Sequence, residues 1–257
     1  MARVVIRIAA AGDVHASEAT RERVERAFAE LEGEADVVLL AGDLTTSGEP
    51  EQAQVLADAC RGLAMPIFAV LGNHDCHAQR TDELKQILAA ADVRLLEREC
   101  AICEVGGLEL GIVGTKGFVG GFPGSALPDF GEPLLRRVYA ETSAEAEAIA
   151  LGLQSIVHCD LRIVLLHYAP VVGTLEGEPP GIQTYLGCDR LATPIAENGA
   201  DLVLHGHAHA GSFEACIGDI PVYNVAVHVT GRNFWIVQLE GGMRRGSEVV
   251  EVREPPA

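Results

Sequence analysis

Five short clusters of histidine, aspartate and asparagine hold the side chains of this sequence that could do chemistry. The central cluster is Gly72-Asn73-His74-Asp75, which follows the apolar run of residues 66–71. That run is short and bounded by proline and glycine, so it predicts a buried strand with the cluster at its C-terminal end. In open α/β sheets, this end is where ligands bind. Gly72 permits a sharp turn or a close approach. Asn73 offers a neutral oxygen ligand, His74 an imidazole, and Asp75 a carboxylate that could orient either neighbour.

The other four clusters also follow predicted strands. They are Asp13-Val14-His15, Gly42-Asp43, His167 and Gly206-His207-Ala208-His209. Taken singly, each admits a structural role, because aspartates commonly cap turns and a lone histidine such as His167 is more often structural than a ligand. His207 and His209 are alternate residues of an extended segment, so both can face one side. Several such groups converging on one place favour a metal site.

The elements that must position these clusters alternate along the first part of the chain. Strands are predicted at residues 4–10, 37–40 and 66–71, and helices at 17–31, 49–63 and 82–90. The first 75 residues therefore follow a β-α-β-α-β order. A parallel sheet with right-handed crossovers is the expected arrangement, and it brings the clusters to one edge.

The pattern changes after residue 91. Short strands are predicted at residues 93–96, 100–105, 108–113, 162–166, 201–204, 212–217, 221–227 and 234–240, and helices at about 132–158 and at 189–198. Gly106-Gly107 predicts a tight turn between two of these strands. The glycine- and proline-rich segments 116–133 and 168–187 are too long for idle connectors, so we expect functional loops there. Residues 1–252 are expected to form a single domain, with a mobile tail at 253–257.

Charge and composition limit the partners. The 37 acidic and 19 basic residues give a formal charge of -18, which disfavours nucleic acids and anionic lipids as partners. No apolar run has the length of a membrane span, and the N-terminus resembles no secretory signal, so the cytoplasm is the expected location. The seven cysteines are odd in number and irregularly spaced, which favours reduced thiols. We interpret the lone pair Cys100 and Cys103 as structural.

Present in this order from residue 12 to residue 209, the five clusters resemble the motifs of the calcineurin-like metallophosphoesterases. The resemblance implies an α/β fold, a four-layer α/β/β/α sandwich of two mixed sheets flanked by helices, and a centre of two metal ions. It implies one ion held by Asp13, His15, Asp43 and His209, and a second held by Asp43, Asn73, His167 and His207, with Asp43 bridging. His74 would contact the phosphate and help the leaving group, and Asp75 would lie behind the ligands, so these two are the candidate catalytic residues.

The residue chemistry agrees with this implication. A mixed set of imidazole, carboxylate and amide ligands suits Mn, Fe, Zn or Co better than Ca or Mg. Two divalent ions would leave the centre positive after the two aspartates are counted. Such a centre attracts an anionic substrate despite the acidic chain, because distant charges are screened over ~8 Å. Two adjacent ions can also generate hydroxide and clamp both oxygens of an in-line displacement.

The expected function is therefore metal-dependent phosphoester hydrolysis by in-line attack of a metal-bridging hydroxide. Phosphodiesters, cyclic nucleotides among them, are favoured because the clusters are similar to those of small bacterial-type phosphodiesterases, although phosphomonoesterases share them. The alternative is a metal-binding scaffold of the same fold that recruits partners without turnover. A nuclease is disfavoured because no basic track is visible, and a serine hydrolase because no GxSxG motif occurs.

Several residues outside the clusters are secondary candidates. Lys116, Tyr168 and Tyr185 lie in or beside the long loops and are candidate substrate contacts, together with Asn73 and His74. His205 and His228 are expected to be structural or to lie behind the ligands. Cys76 and His77 directly follow the central cluster and could line the pocket. The sequence leaves the oligomeric state open.

Overall fold

Two six-stranded sheets of the described residues pack face to face. The structure is a computed structural model that describes residues 4–241 and the backbone of residues 248–252. The strands are β1 (Val4–Ala11), β2 (Val37–Ala41), β3 (Ile67–Val70), β4 (Val93–Leu95), β5 (Glu99–Val105), β6 (Leu108–Gly114), β7 (Leu161–Leu165), β8 (Leu202–His205), β9 (Glu214–Ile217), β10 (Ile220–Asn224), β11 (Trp235–Gly241) and β12 (Glu248–Val252).

Both sheets are mixed. The first has the order β12-β11-β1-β2-β3-β4, and its strands β1 to β4 run parallel while β11 and β12 pair antiparallel. The second has the order β5-β6-β7-β8-β10-β9, with a parallel centre from β6 to β10 and an antiparallel strand at each edge. The β5–β6 hairpin turns through Gly106 and Gly107 at φ 61° and 83°, as the two-glycine turn predicted.

Helices cover the two outer faces. The helices of the described residues are α1 (Arg21–Ala29), α2 (Pro50–Cys60), α3 (Thr81–Ala89), α4 (Pro133–Ser155), α5 (Gln183–Leu186), α6 (Ala192–Asn198) and α7 (Val227–Thr230). The first three pack on the first sheet, and α4 and α6 pack on the second. The α/β class, with two mixed sheets flanked by helices, is therefore confirmed.

The central strands β2 and β3 are apolar throughout, and both of their faces are buried. Along β1, Ile6 and Ile8 point into the core between the sheets, whereas Ala9 points toward the helices. Leu110 and Ile163 of the second sheet belong to the same central core. Strands of this kind read as continuous apolar runs rather than alternating ones, which is why the sequence located them.

Some predicted boundaries were wrong. The strand predicted at residues 221–227 ends at Asn224, and the chain then forms the short helix α7. The helix predicted from residue 17 begins as a 3-10 turn at Glu18–Thr20, and α1 starts only at Arg21. The loop predicted at 168–187 contains helical turns at Val172–Leu175 and Pro180–Ile182 as well as α5.

Strand β12 was not predicted, and the expected tail at 253–257 lies outside the described residues. In the part of the chain that is described, no helix combines the length and apolarity needed to cross a membrane.

Candidate metal centre

The five clusters lie together at one edge of the sandwich. They follow the C-terminal ends of β1, β2, β3, β7 and β8, and the first three of these strands belong to one sheet while the last two belong to the other. The imidazole of His167 crosses between the sheets, because its Nδ1 lies 2.9 Å from the carbonyl oxygen of Ala41. Parallel strands thus deliver polar side chains from both sheets to one cleft, as expected at the carboxyl edge.

The backbone that presents these side chains is strained. Asp13, His15, Asp43 and His207 have φ of 59°, 48°, 49° and 71°, a region that residues with a Cβ seldom occupy. Hydrogen bonds between the clusters hold this geometry. Asp13 and His15 donate their amides to the carbonyls of Gly42 and Asp43, each at 3.0 Å, and His207 donates its amide to Asp13 Oδ2 at 2.9 Å. Strain held in this way is characteristic of functional sites.

Close packing against Asp43 explains why residue 72 of the central cluster is a glycine. A Cβ on Gly72 would lie 2.0 Å from Asp43 Oδ1, so a larger residue would displace this carboxylate. The glycine is therefore required for close approach of the two loops.

A first group of four side chains could hold a cation. Asp13, His15, Asp43 and His209 each place one ligand atom within 4.8 Å of the others. His209 Nε2 lies 2.7 Å from Asp13 Oδ1. The Nδ1 atom of His15 is buried and has no hydrogen-bond partner among the described residues. The other nitrogen of the same ring, Nε2, lies 3.9 Å from Asp43 Oδ2, so the polar atoms of this imidazole fit a metal-ligand set.

A second group shares one carboxylate with the first. Asp43, His167 and His207 again have ligand atoms within 4.8 Å of one another, and Asn73 Oδ1 lies 2.9 Å from His167 Nε2. Since a carbonyl only accepts, His167 donates its Nδ1–H to Ala41, and His207 donates its Nε2–H to the Tyr185 carbonyl at 3.2 Å. The other nitrogen of each ring then keeps its lone pair, which is the usual arrangement of metal-binding histidines.

The electrostatics of the centre also fit cations. Burial, together with the charge of Asp13, raises the pKa of Asp43 to about 6. Burial opposes ionisation of Asp13 too, but the hydrogen bond from His209 and the neighbouring imidazoles lower its pKa to about 2. Burial lowers the pKa values of His167 and His207 to about 4 and about 3. At neutral pH both rings are therefore uncharged, and each can offer a lone pair to a metal ion. The buried carboxylates of Asp13 and Asp43 lie close together, and divalent ions would relieve the repulsion between them.

His74 lies beside this centre without joining either group. Its Nδ1–H donates to the Thr46 carbonyl at 2.7 Å, its backbone amide donates to Asp43 Oδ1 at 2.8 Å, and its Nε2 lies 3.9 Å from Asp43 Oδ2. The side chain is 34% exposed, so one ring nitrogen is anchored and the other faces the cleft.

Asp75 lies beneath the cleft. Its buried carboxylate accepts hydrogen bonds from the amides of Leu44, Thr45 and Gly72 and from the Thr45 hydroxyl. Burial raises its pKa to about 6. These bonds tie the turn at 72–75 to the loop after β2, so Asp75 positions the site rather than facing a substrate.

Comparison with known proteins identifies the family. Residues 6–211 match the sequence profile of the calcineurin-like phosphoesterases. The chain belongs to this family. Members of this metallophosphoesterase family use divalent metals, and the Asp/His groups described above could bind them. A comparison with curated proteins gave no significant match.

Solved structures share the fold of this calcineurin-like phosphoesterase at low identity. The phosphopantetheinyl hydrolase of Mycobacterium tuberculosis aligns with a TM-score of 0.62 and 15% identity over 86% of this chain and 88% of its own. A putative 5'-nucleotidase from Staphylococcus aureus aligns with a TM-score of 0.59 and 17% identity over 98% of this chain and 55% of its own. GAP50, the anchor in the inner membrane complex of Plasmodium, aligns with a TM-score of 0.59 and 12% identity over 97% of this chain and 88% of its own.

The two long loops of this calcineurin-like phosphoesterase pack against each other beside the centre. The amides of Gly120 and Gly121 donate to the carbonyls of Thr184 and Gly187 at 3.1 and 2.8 Å. The ring of Phe122 is buried in a small cluster with four residues of the second loop and the histidine cluster, namely Ala169, Leu175, Leu186 and Ala208. Because Ala208 separates His207 from His209, this cluster connects the loops to the candidate ligands.

The secondary candidates differ in their distance from the centre. The ring of Tyr168 is buried and lies 4.5 Å from that of His207, centroid to centroid. Lys116 also approaches Tyr168, with Nζ 5.1 Å from the ring centroid, and burial lowers the pKa of its amine. Tyr185 contacts His207 through its carbonyl, and its side chain is exposed.

Two further histidines pack against histidines of the clusters. His228 stacks on His209 with ring centroids 4.1 Å apart, and His77 packs on His74 at 4.5 Å. His77 adjoins the central cluster in the sequence, but nothing in the spacing of His228 marks it. Its proximity depends on α7, which sequence reasoning missed.

The other residues set aside as structural have structural contacts. His205 is buried between the Thr174 hydroxyl and the Gly206 carbonyl, at 2.9 and 2.8 Å. Cys100 packs toward the helices and Cys103 toward the central core, so the two thiols lie on opposite faces of β5.

Proposed function

We propose that this protein hydrolyses small phosphate esters with the help of two divalent transition-metal ions. The observation that carries the proposal is the pair of ligand-competent groups that share Asp43, beside a histidine that belongs to neither. One ion would be held by Asp13, His15, Asp43 and His209, and the other by Asp43, Asn73, His167 and His207. Mn, Fe, Zn and Co are the candidates that this mixture of imidazole, carboxylate and amide suits.

The chain supplies positioning and proton transfer around these ions. When bound, a pair of divalent ions activates water near neutral pH and offsets negative charge on the phosphate oxygens. Asn73 would bind the second ion and contact the substrate. His74 would face the phosphate. Because the Thr46 carbonyl fixes the Nδ1–H of His74, its protonated form presents Nε2–H to the cleft. There it would stabilise charge or protonate the leaving oxygen, a role worth ~10²–10⁴-fold in rate.

The substrate proposal is a small phosphorylated molecule, with phosphodiesters, cyclic nucleotides among them, ahead of monoesters. Two of the structural neighbours are named as a phosphopantetheinyl hydrolase and a putative 5'-nucleotidase, so this fold accommodates different phosphate esters. A nucleic-acid polymer is disfavoured by the charge of -18. The cytoplasm is the proposed location, since all seven cysteines are free thiols.

A scaffold without turnover is the second candidate. GAP50, which shares the fold, is named as an anchor, so this architecture can serve attachment. Retention of both ligand groups and of an anchored His74 favours the enzyme. An attachment role does not require a histidine whose free ring nitrogen faces the cleft.

The test is to reload metal-depleted protein with single metals. Mn, Fe, Zn and Co would be added separately, bound ions counted by elemental analysis, and hydrolysis of p-nitrophenyl phosphate and bis-p-nitrophenyl phosphate measured side by side. We expect two ions per chain and hydrolysis with at least one metal. Two ions without hydrolysis under any condition would favour the scaffold. No more than one tightly bound ion would refute the two-metal centre.

A further inference from the structure

A cavity of about 360 Å³ lies next to the candidate metal centre. Its wall includes Leu71 and Cys76, which flank the turn at 72–75, together with Arg98, Lys116 and Glu145. We call it the Lys116 cavity. Its size is at the lower end of the range for small-molecule sites, so it would accept a compact group rather than a polymer segment.

The carboxylates of this wall already have partners. Glu145 accepts hydrogen bonds from Arg98 Nε and Nη2 at 3.0 and 2.8 Å and from the Gly117 amide at 2.9 Å. Glu141 also pairs with Arg98 Nη2. Glu97 pairs with Lys85, whose Nζ lies 2.5 Å away. These pairs account for Arg98 as well, so neither it nor the glutamates are open to a ligand without breaking an existing contact.

Lys116 is different. Its partly buried ammonium donates to the Gly117 carbonyl at 3.3 Å and lies over the rings of Phe118 and Tyr168, at 4.4 and 5.1 Å. Within residues 4–241, no carboxylate lies within ion-pair distance of it. An ammonium has three donors, so this cation retains unused hydrogen-bonding capacity inside a ligand-sized space.

The cavity and the metal centre are built from neighbouring residues. The ring of Tyr168 contacts residues of both, because its centroid lies 5.1 Å from Lys116 Nζ and 4.5 Å from the centroid of the His207 ring. The carbonyl of Lys116 also accepts the His167 amide at 3.0 Å. Cys76, in the cavity wall, follows His74 by two residues. One aromatic ring therefore contacts both this unpaired cation and a candidate metal ligand.

We propose that the Lys116 cavity binds a second anionic group of the substrate, a carboxylate or a phosphate separated by a short chain from the scissile phosphate. The inference rests on the proposed function and narrows its substrate class to small phosphate esters that carry another acid group. The rings of Phe118 and Tyr168 lie beside the partly buried ammonium, and an electrostatic attraction is stronger for a partly buried charge than for one in bulk water. A charge-assisted hydrogen bond of this kind is worth about ten-fold or more in affinity.

Matched substrates test the inference. Alkyl phosphates and ω-carboxyalkyl phosphates of equal chain length, from two to six carbons, would be compared by kcat/KM. We expect a preference of about ten-fold for the carboxylates at one optimal length. Lys116→Met should abolish that preference mainly through KM, and Lys116→Arg should retain part of it. Arg61→Met, which removes one positive charge from the exposed end of α2, should preserve the preference. Equal kcat/KM for both series at every length, or a preference that survives Lys116→Met, would overturn the inference.

Binding measured without turnover separates this inference from the catalytic proposal. The chain has only two lysines, Lys85 and Lys116. In zinc-loaded protein labelled with ¹³C-lysine, with signals assigned through Lys85→Arg, an ω-phosphonoalkanoate should shift the Lys116 signal saturably, and an alkylphosphonate should shift it less. If that result were found for a protein that hydrolyses no ester, it would support anion binding in the Lys116 cavity and refute the catalytic proposal. If the protein hydrolyses esters but both phosphonates shift the Lys116 signal equally, anion binding in the cavity is refuted and the catalytic proposal stands.

Discussion

The imidazole rings of His209 and His228 stack with their centroids 4.1 Å apart and their planes inclined by 14°. His228 lies on α7, which begins directly after Ala226, and Ala226 pairs with Gly12 just before Asp13. The same ring is 6.0 Å from that of His15. This short helix therefore places a ring against one candidate ligand and near another, where it limits rotation of the His209 imidazole.

We expect His228→Ala to weaken metal binding at the first ligand group by roughly 10-fold, the lower end of the range for residues that orient metal ligands. Chelator competition on the zinc-loaded protein would measure it. His228→Phe should restore most of the affinity, because a ring can still stack on His209. His77→Ala provides a control, since His77 packs on His74 rather than on a ligand. Unchanged affinity in His228→Ala would show that the stack has no role.

Asp43 is the carboxylate common to both ligand groups, so its loss should affect both ions. We expect Asp43→Ala to bind neither ion tightly, whereas His209→Ala, which removes a ligand from the first group only, should retain about one. Elemental analysis after equilibration with limiting metal would give these counts. Retention of two tightly bound ions by Asp43→Ala would contradict a shared ligand.

Asp75 is expected to act through the backbone that it holds. Asp75→Asn replaces a buried acceptor of several hydrogen bonds with a group that also carries donors, so we expect the metal-free protein to lose roughly 3 kcal/mol of unfolding free energy in urea. His74→Ala, at a partly exposed side chain, should cost much less. If Asp75→Asn were as stable as the unmodified protein but inactive, a direct role in the reaction would replace this positioning role.

The sequence was sufficient for those features that depend on local pattern. Strands buried on both faces appear as apolar runs, and a polar cluster follows the predicted strand at each ligand position. The end of β10 depends on contacts between distant residues. Residues 225–229 alternate like a strand, but the Asn224 side chain donates to the Ala208 carbonyl and accepts the Ala226 amide, which turns the chain into α7. Arg98 and Glu145, which pair with each other, are likewise 47 positions apart in the sequence. Because this pairing engages Glu145, it also leaves Lys116 without a carboxylate partner among the described residues, which the local sequence does not reveal.

Phe122 connects the two long loops, and its loss should open the cleft. We expect Phe122→Ala to make both loops more sensitive to limited proteolysis and to raise KM several-fold, because the buried ring joins the first loop to Ala169, Leu175 and Leu186. Phe130 offers a matched control in the same loop, since its ring is 78% exposed. Phe130→Ala should leave protease sensitivity unchanged. If Phe122→Ala behaved like the control in both assays, the loops would not form the walls of the cleft.

His74 is predicted to act on the reaction and not on the metals. It adjoins Asn73 in the chain, yet its Nδ1 is engaged by the Thr46 carbonyl and it belongs to neither ligand group. We therefore expect His74→Ala to keep two ions per chain while kcat falls by ~10²–10⁴-fold. An alkoxide leaving group needs a proton, whereas nitrophenolate does not, so the loss should be larger for an alkyl phosphate ester than for a nitrophenyl ester. Equal losses on the two esters would remove the general-acid role and leave charge stabilisation, and loss of an ion would make His74 a ligand.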